Sequence, residues 1–96
     1  MERDTIVERI RAHAPQLGEF DIAKLSLFGS VARGDSGPES DVDVLVEFRG
    51  AATFDNFMGL KLFLEDLLDR RVDLVTTGAL RQEIREQVEE DLLRVA

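Results

Sequence analysis

Three aspartates occupy positions from which β-strands usually exclude this residue type. Asp41 and Asp43 flank Val42 at the start of an alternating segment, and Asp73 lies inside Val72–Val75. Residues two apart on a strand face the same side, so Asp41 and Asp43 should project together. Adjacent carboxylates repel each other unless a cation lies between them, and ligands that are all oxygen suit Mg²⁺. The spacing therefore predicts a magnesium site, to which Asp73 would add a third carboxylate from a neighbouring strand.

A second group of residues, within segment 28–34, has the chemistry of a phosphate site. Gly29 lets the backbone approach a ligand closely because it has no side chain. A short helix starting at Ser30 would offer free N–H groups to an anion. The Ser30 hydroxyl and the Arg33 guanidinium could donate hydrogen bonds to phosphate oxygens. A Gly-Ser pair alone usually means a turn, and each aspartate alone fits a surface or edge position. Together they predict a phosphate cradle beside a metal platform.

Hydrophobic spacing predicts the elements that position these groups. We predict helices over Thr5–Leu17, Thr53–Arg70 and about Ala79–Val95, with Thr5 and Glu8 forming a capping box at the first of them. We predict strands over Leu25–Phe28, Asp41–Val46 and Val72–Val75, and a loop over Gly34–Ser40. Helices alternating with short strands indicate an α/β (α+β) domain with a small sheet covered by helices. The helix between the second and third strands is long enough for a crossover, which permits a parallel pair. The remaining strand pairing stays open.

Length and composition narrow the classes of function. With 96 residues, we expect a single domain over residues 1–96. The apolar runs are too short to span a bilayer, and the charged start shows no signal peptide, so a cytoplasmic location fits best. The absence of cysteine excludes disulfides and thiolate sites. A net charge of −8 argues against stable nucleic-acid binding.

Two further sets of residues have simpler structural explanations. His13 is the only histidine, and a partly buried helix position explains it better than a general-base role. A base-stacking patch is conceivable where aromatic residues cluster, but their helical spacing favours a core or an interface. The residues concerned are Phe54, Phe57, Met58 and Phe63.

The combined pattern resembles the signature of the polymerase-beta-like nucleotidyltransferase superfamily. Its parts here are Gly29-Ser30, Arg33-Gly34 and Ser40-Asp41-Val42-Asp43. The chain length and Val72-Asp73-Leu74-Val75 resemble the minimal branch of that superfamily, whose members are often encoded beside a helical HEPN-domain partner in toxin–antitoxin pairs.

The resemblance implies a mixed sheet with flanking helices, two Mg²⁺ ions and a nucleoside triphosphate. We expect ATP, although no residue of the sequence distinguishes it from GTP, CTP or UTP. Carried over by position, Asp41 and Asp43 would bind the metals. Asp73 would be the third carboxylate and would favour deprotonation of the acceptor hydroxyl. Gly29 and Ser30 would hold the β- and γ-phosphates.

Two functional hypotheses follow, and they are compatible. The first is a Mg²⁺-dependent nucleotidyltransferase that moves a nucleoside monophosphate, AMP by preference, onto a hydroxyl such as a tyrosine of a HEPN toxin. The alternative is a non-catalytic antitoxin or nucleotide-binding subunit that neutralises its partner by binding. The acidic surface of this chain could cover the basic surface of a ribonuclease partner. A third hypothesis, a degenerate domain that keeps only the fold, is opposed by the intact motif residues. The apolar helices exceed what three strands need, so we also expect a homodimer or a hetero-oligomer.

Overall fold

The structure is a computed structural model and describes residues 3–37, 40–79 and 82–96. Within these ranges the α-helices are α1 (Arg3–Ala12), α2 (Ala14–Leu17), α3 (Gly29–Arg33), α4 (Phe54–Leu68) and α5 (Gln82–Asp91). The strands are β1 (Ile22–Phe28), β2 (Val42–Phe48), β3 (Val72–Thr76) and β4 (Leu93–Arg94). Short 3₁₀ helices cover Gly18–Phe20 and Thr77–Ala79. None of the described helices is long and apolar enough to cross a membrane.

The strands form one mixed sheet in the order β3-β2-β1-β4. β1 pairs antiparallel with both β2 and β4, whereas β2 and β3 are parallel and joined through α4. The structure thus confirms the predicted parallel pair and the mixed sheet flanked by helices. The strand pairing that stayed open is the antiparallel pairing of β1 with β2.

The hydrophobic core lies on one face of the sheet, beneath α1 and α4. Alternate β2 residues, Val42, Val44 and Val46, are fully buried there. Helix residues at spacings of three to four meet them, and the fully buried members of this set are Ile6, Ile10, Leu60, Leu64 and Leu68. Because side chains alternate along a strand, the residues between these valines, including Asp43, lie on the opposite face.

The chain end differs from the prediction of a helix up to Val95. α5 ends at Asp91, and Leu93 and Arg94 pair with Leu27 and Ser26 of β1. An unpaired strand edge exposes backbone N–H and C=O groups, and the short β4 satisfies part of that edge of β1. The predicted helix residue Leu80 lies outside the described residues.

The first predicted helix is interrupted. α1 is already helical at Arg3, so Thr5 lies within the helix and the predicted capping box is wrong. The chain turns at His13, and Pro15 occupies the first turn of α2, where its missing N–H is harmless. His13 is half-buried, as predicted, but it lies in the turn between α1 and α2 and not within a helix. Its Nδ1 lies 2.8 Å from the Arg9 carbonyl oxygen, and its ring meets the Phe63 ring edge-on.

The aromatic residues of α4 divide between the core and the surface. Phe57 and Phe63 pack against the core, as predicted. Phe54 is 77% exposed and Leu62 is 58% exposed, so this part of α4 presents apolar surface to solvent. Thr53 starts the helix, since its side-chain oxygen accepts a hydrogen bond from the Asn56 N–H at 3.1 Å.

Candidate active site

The sheet brings two of the predicted carboxylates side by side. Asp43 on β2 lies opposite Asp73 on the parallel strand β3 and opposite Phe28 on β1. The Asp43 side chain is half-buried, whereas Asp73 and Asp41 are exposed. Asp41 directly precedes β2 rather than lying within it. The sheet pairing therefore joins Asp43 and Asp73, and chain continuity places Asp41 next to them.

Asp43 has an unfavourable environment for its charge. Burial raises its pKa above the usual aspartate range, and the neighbouring carboxylates of Asp73 and then Asp41 raise it further. The Arg33 guanidinium lowers it in part. These four side chains therefore share one electrostatic environment, in which negative charge is concentrated around Asp43.

Gly29 separates β1 from α3 and lies against Asp43. Its φ of 72° is in the left-handed region, which side chains disfavour. A Cβ atom on Gly29 would overlap the Oδ2 atom of Asp43. Glycine is thus required at this position for two reasons: the left-handed backbone, and the lack of space for a Cβ atom beside the Asp43 carboxylate. Ser30 follows in the first turn of α3, so the predicted Gly-Ser pair does adjoin the predicted carboxylates.

The Arg33 guanidinium donates hydrogen bonds to two carboxylates in this structure. Its Nη1 atom donates to Asp91 at the end of α5 at 2.8 Å, and its Nε donates to Asp35 at 3.2 Å. The predicted phosphate-binding guanidinium thus lies near Asp43 but is hydrogen-bonded towards the end of α5.

Two arginines between α4 and β3 hold the segment that carries Asp41. Arg70 donates to the carbonyl oxygen of Gly37 at 3.0 Å and also to that of Ser40. Arg71 pairs with the Asp41 carboxylate at 3.2 Å. Sequence reasoning missed both residues; the available signal was an adjacent pair of arginines, three and two positions before Asp73.

Comparison with known proteins explains why the three aspartates and the Gly-Ser turn occur together. A family model described as "Nucleotidyltransferase domain" matches residues 6–95. The chain belongs to this nucleotidyltransferase family. The match spans Asp41, Asp43, Asp73 and the Gly-Ser turn, so the resemblance drawn from the sequence is confirmed.

Named relatives of this nucleotidyltransferase agree on one type of reaction. A Methanocaldococcus jannaschii protein, provisionally named a protein adenylyltransferase, is 38% identical over 92 residues that cover 94% of each chain. The Thermococcus cleftensis protein adenylyltransferase MntA is 37% identical over 87 residues, covering 90% of this chain and 88% of the relative. Family and relatives together mark the chain as a nucleotidyltransferase enzyme.

Solved structures confirm the fold of the nucleotidyltransferase. One, described provisionally as a minimal nucleotidyltransferase, has a TM-score of 0.84 and 36% identity and covers 97% of this chain and 95% of its own. A complex described as a tri-AMPylated Shewanella oneidensis HEPN toxin with an MNT antitoxin has a TM-score of 0.68 and 20% identity, covering 98% of this chain and 71% of that chain. A toxin–antitoxin structure with AMP-PNP has a TM-score of 0.70 and 23% identity, with coverages of 100% and 73%. At these lower identities the likeness concerns the fold alone.

The donor set of this nucleotidyltransferase fits a hard cation. Among the residues that the structure describes, no group of three or more Asp, Glu or His side chains lies close enough together to hold a metal ion. Carboxylates that lack a cation repel one another, and Asp41 is paired with Arg71. Mg²⁺ needs only one or two carboxylates together with substrate phosphates. Asp43 and Asp73 lie opposite each other on two neighbouring strands and supply the two carboxylates. The raised pKa of Asp43 reflects its burial and the negative charge beside it.

Proposed function

We propose that this nucleotidyltransferase transfers AMP from ATP to a hydroxyl group of a protein partner, and that the reaction depends on Mg²⁺. The observation that carries the proposal is the pairing of Asp43 with Asp73 directly beside Gly29. The proposed metal-binding edge and the proposed phosphate-binding turn would meet at that point. Relatives named protein adenylyltransferases support the choice of AMP and of a protein acceptor.

Each predicted site residue has a task in this proposal. Gly29 and Ser30 would hold the β- and γ-phosphates, because the glycine leaves room for the backbone to approach them. Asp43, Asp73 and Asp41 would hold Mg²⁺. When bound, the metal ions would stabilise both the attacking and the leaving oxygen of an in-line displacement. Asp73, which is exposed, would face the acceptor and favour deprotonation of its hydroxyl.

Electrostatics make nucleotide and metal binding depend on each other. Negative charge around Asp43 would repel a free triphosphate, whereas a cation between them would attract both. Arg33 would add positive charge to the leaving pyrophosphate if a phosphate competed successfully with Asp91 for its guanidinium. We therefore expect ATP to bind only as its magnesium complex.

The partner we propose is a HEPN-domain toxin, with a tyrosine hydroxyl as acceptor. The family resemblance implies it, and complexes between HEPN toxins and MNT antitoxins share the fold. AMP on a toxin tyrosine would add negative charge and bulk to the toxin. The chain would then act as an antitoxin by modification.

Intact-mass spectrometry of a HEPN-domain toxin, purified separately from this chain, tests the proposal. After incubation with the chain, ATP and Mg²⁺, its mass should increase by whole AMP units, and peptide mapping should locate them on tyrosine. Asp43→Asn should abolish the increase, whereas Asp66→Asn, an exposed aspartate of α4, should leave it unchanged. An unmodified toxin after incubation with the wild-type chain would contradict the proposal.

A growth assay with the same toxin tests the alternative that the chain neutralises its partner by binding alone. If the Asp41→Asn/Asp43→Asn chain still restored growth to cells expressing the toxin, neutralisation would not need the metal ligands. That result would assign the antitoxin effect to binding rather than to nucleotide transfer.

A further inference from the structure

β3 is an outer strand of the sheet and lies beside the carboxylate site. In the strand order β3-β2-β1-β4, β3 pairs only with β2. No other strand in the described part of the chain lies on its second side. An outer strand presents backbone N–H and C=O groups to which another extended segment can be added. Because Asp73 belongs to β3, such a segment would run directly past the proposed active site.

The hydrogen bonds to β2 show which backbone groups of β3 point outwards. The Val42 N–H donates to the Arg71 carbonyl oxygen at 2.9 Å, so the backbone of Arg71 faces β2. In a parallel ladder, successive residues direct their backbone groups to opposite sides. The backbone of Asp73 therefore bonds to β2 as well. Leu74 and Thr76 direct their N–H and C=O groups away from the sheet, and these groups form the open edge of β3.

Val72 confirms this direction from the outer side. Its N–H donates to the Glu65 carboxylate of α4 at 3.0 Å, so a side chain closes the start of the edge. None of the described residues is hydrogen-bonded to the outward groups of Leu74 and Thr76. Lysine, proline or a bulge commonly protects an outer strand from pairing. Residues 72–76 contain neither lysine nor proline, and their register with β2 is regular.

Charge argues against a second copy of this chain at the open edge. If β3 paired antiparallel with β3 of a second copy along its whole length, Asp73 would lie opposite Val75. A shift of the register by two residues would bring two Asp73 carboxylates opposite each other, and like charges in that position repel. Both registers place the aspartate beside an unsuitable neighbour.

A strand from an acceptor protein can satisfy the same positions. Arg71, Asp73 and Val75 share one face because side chains alternate along a strand. A hydroxyl residue opposite Asp73 could donate to its carboxylate. An acidic residue two positions away would lie beside Arg71, which is 82% exposed, and an apolar residue on the other side would contact the half-buried Val75.

We propose that the open edge of β3 binds an extended segment of the acceptor protein as an added strand, and that this pairing sets the acceptor hydroxyl beside Asp73. The inference rests on the proposed function, since it concerns the acceptor of that reaction. Neighbouring strands lie about 4.8 Å apart, so the acceptor would be one strand beyond Asp73 and two beyond Asp43. Asp73 would then lie between the acceptor hydroxyl and the carboxylate of Asp43, as its proposed role in deprotonation requires.

Hydrogen exchange measured by NMR tests the pairing directly. The probe is a separately purified HEPN-domain toxin, added in excess to the isotope-labelled chain without ATP. The amides of Leu74 and Thr76 should exchange about tenfold more slowly with the toxin than without it. The amides of Asp73 and Val75 already bond to β2 and are the internal reference, because stabilisation of the whole fold slows all four.

Two substitutions test the edge by affinity, measured by calorimetric titration with the toxin. Thr76→Pro removes an outward N–H without removing a donor to β2, and should weaken toxin binding about five- to tenfold. Thr76→Val keeps the N–H and is the matched control. Arg71→Glu should also weaken binding by repelling an acidic residue of the added strand. Arg49→Glu, at an exposed arginine just after β2, should bind as the wild type does.

The outcomes separate this inference from the proposed function. AMP transfer to the toxin without slower exchange at Leu74 and Thr76 would overturn this inference alone. Slower exchange confined to α4 or α5 would also overturn it, as would slower exchange at the edge that rises with the concentration of the chain alone. A toxin that neither binds nor accepts AMP would overturn both proposals. The exchange measurement uses the wild-type chain and stays valid if thermal melting shows that Thr76→Pro does not fold.

Discussion

Gly29 lies so close to the carboxylate of Asp43 that a Cβ atom on Gly29 would overlap the Oδ2 atom of Asp43. The turn that ends β1 and the first turn of α3 are therefore built around that carboxylate. In the proposed reaction, the same closeness would bring substrate phosphates held at Gly29 next to a metal ion held by Asp43. The contact thus couples the phosphate site to the metal site.

Gly29→Ala should separate the two sites. The left-handed backbone costs a residue with a side chain about 1–2 kcal/mol, and Asp43 must move away from the new methyl group. We expect AMP transfer to fall by about 100-fold, because a misplacement of about 1 Å can have that effect. Denaturant unfolding and the mass-spectrometric transfer assay measure the two effects.

Gly18→Ala is the control for that substitution. Gly18 has a φ of −59° and nothing within 4 Å of a Cβ atom. Alanine there should change the free energy of unfolding by no more than about 1 kcal/mol, in the stabilising direction, and leave transfer intact. Full activity of Gly29→Ala would show that the contact with Asp43 is unimportant.

Asp43→Asn should stabilise the metal-free chain while it abolishes transfer. Burial and the neighbouring Asp73 and Asp41 raise the pKa of Asp43, so the folded chain binds the proton more tightly than the unfolded chain. The free energy of unfolding therefore falls as pH rises from about 4, the ordinary aspartate value, through the raised folded pKa, and stays lower at neutral pH. With EDTA present at pH 7, we expect the Tm of Asp43→Asn to exceed that of the wild type by about 2–5 °C.

The pH dependence distinguishes this cause from a general effect of the substitution. The difference in Tm should shrink as the pH falls towards about 4, because the wild-type carboxyl is then protonated as well. Asp66→Asn should show no such trend. A lower Tm for Asp43→Asn at neutral pH would mean that the carboxylate stabilises the fold.

Arg70→Ala should loosen the segment that carries Asp41. The guanidinium holds the carbonyl oxygens of Gly37 and Ser40, and hydrogen bonds from charged groups contribute about 1.5–3 kcal/mol when well shielded. Because Arg70 is only half-buried, we expect a loss of about 1–2 kcal/mol in unfolding free energy. The Mg²⁺ concentration needed for half-maximal transfer should rise severalfold. Unchanged magnesium dependence would limit Arg70 to a role in stability.

Arg71→Ala should act in the opposite direction on magnesium. Arg71 is largely exposed and pairs with Asp41 at 3.2 Å, so it competes with a cation for that carboxylate. Exposed ion pairs contribute about 0.2–1 kcal/mol, which predicts magnesium binding up to about fivefold tighter. Weaker binding in a magnesium titration of the variant would show that Arg71 orients Asp41 for the metal.

Asp91→Asn tests whether Arg33 can serve the triphosphate. The variant replaces the carboxylate that accepts the 2.8 Å bond from Arg33 with a neutral amide. The contact loses its ionic part, so the guanidinium becomes more available to phosphate oxygens. We expect tighter binding of Mg²⁺–tripolyphosphate in Asp91→Asn and weaker binding in Arg33→Ala. If Arg33→Ala binds tripolyphosphate as the wild type does, Arg33 has no role in phosphate binding and only links α3 to α5.

Local sequence patterns predicted most of the fold. The alternation of Val42, Val44 and Val46 follows from the pleat of a strand, and the apolar spacing of α4 follows from the helix period. The predictions were wrong where the conformation of a segment depends on residues distant in sequence. β4 lies inside a segment with helical periodicity, and only the unpaired edge of β1 makes Leu93 and Arg94 extended. β1 also begins earlier than predicted, because its irregular register between Ile22 and Lys24 obscures the alternation.

The sequence by itself determined that Asp43 faces away from the core and that a glycine ends β1, because neighbouring residues in one chain segment settle both. Only the tertiary structure decided that Asp73 lies opposite Asp43, that Arg71 pairs with Asp41, and that Asp91 of α5 accepts a hydrogen bond from Arg33. These relationships join residues distant in sequence, and strand register and helix packing set them. A periodic pattern shows which side of an element is apolar, but the partner of each polar side chain depends on which other element folds against it.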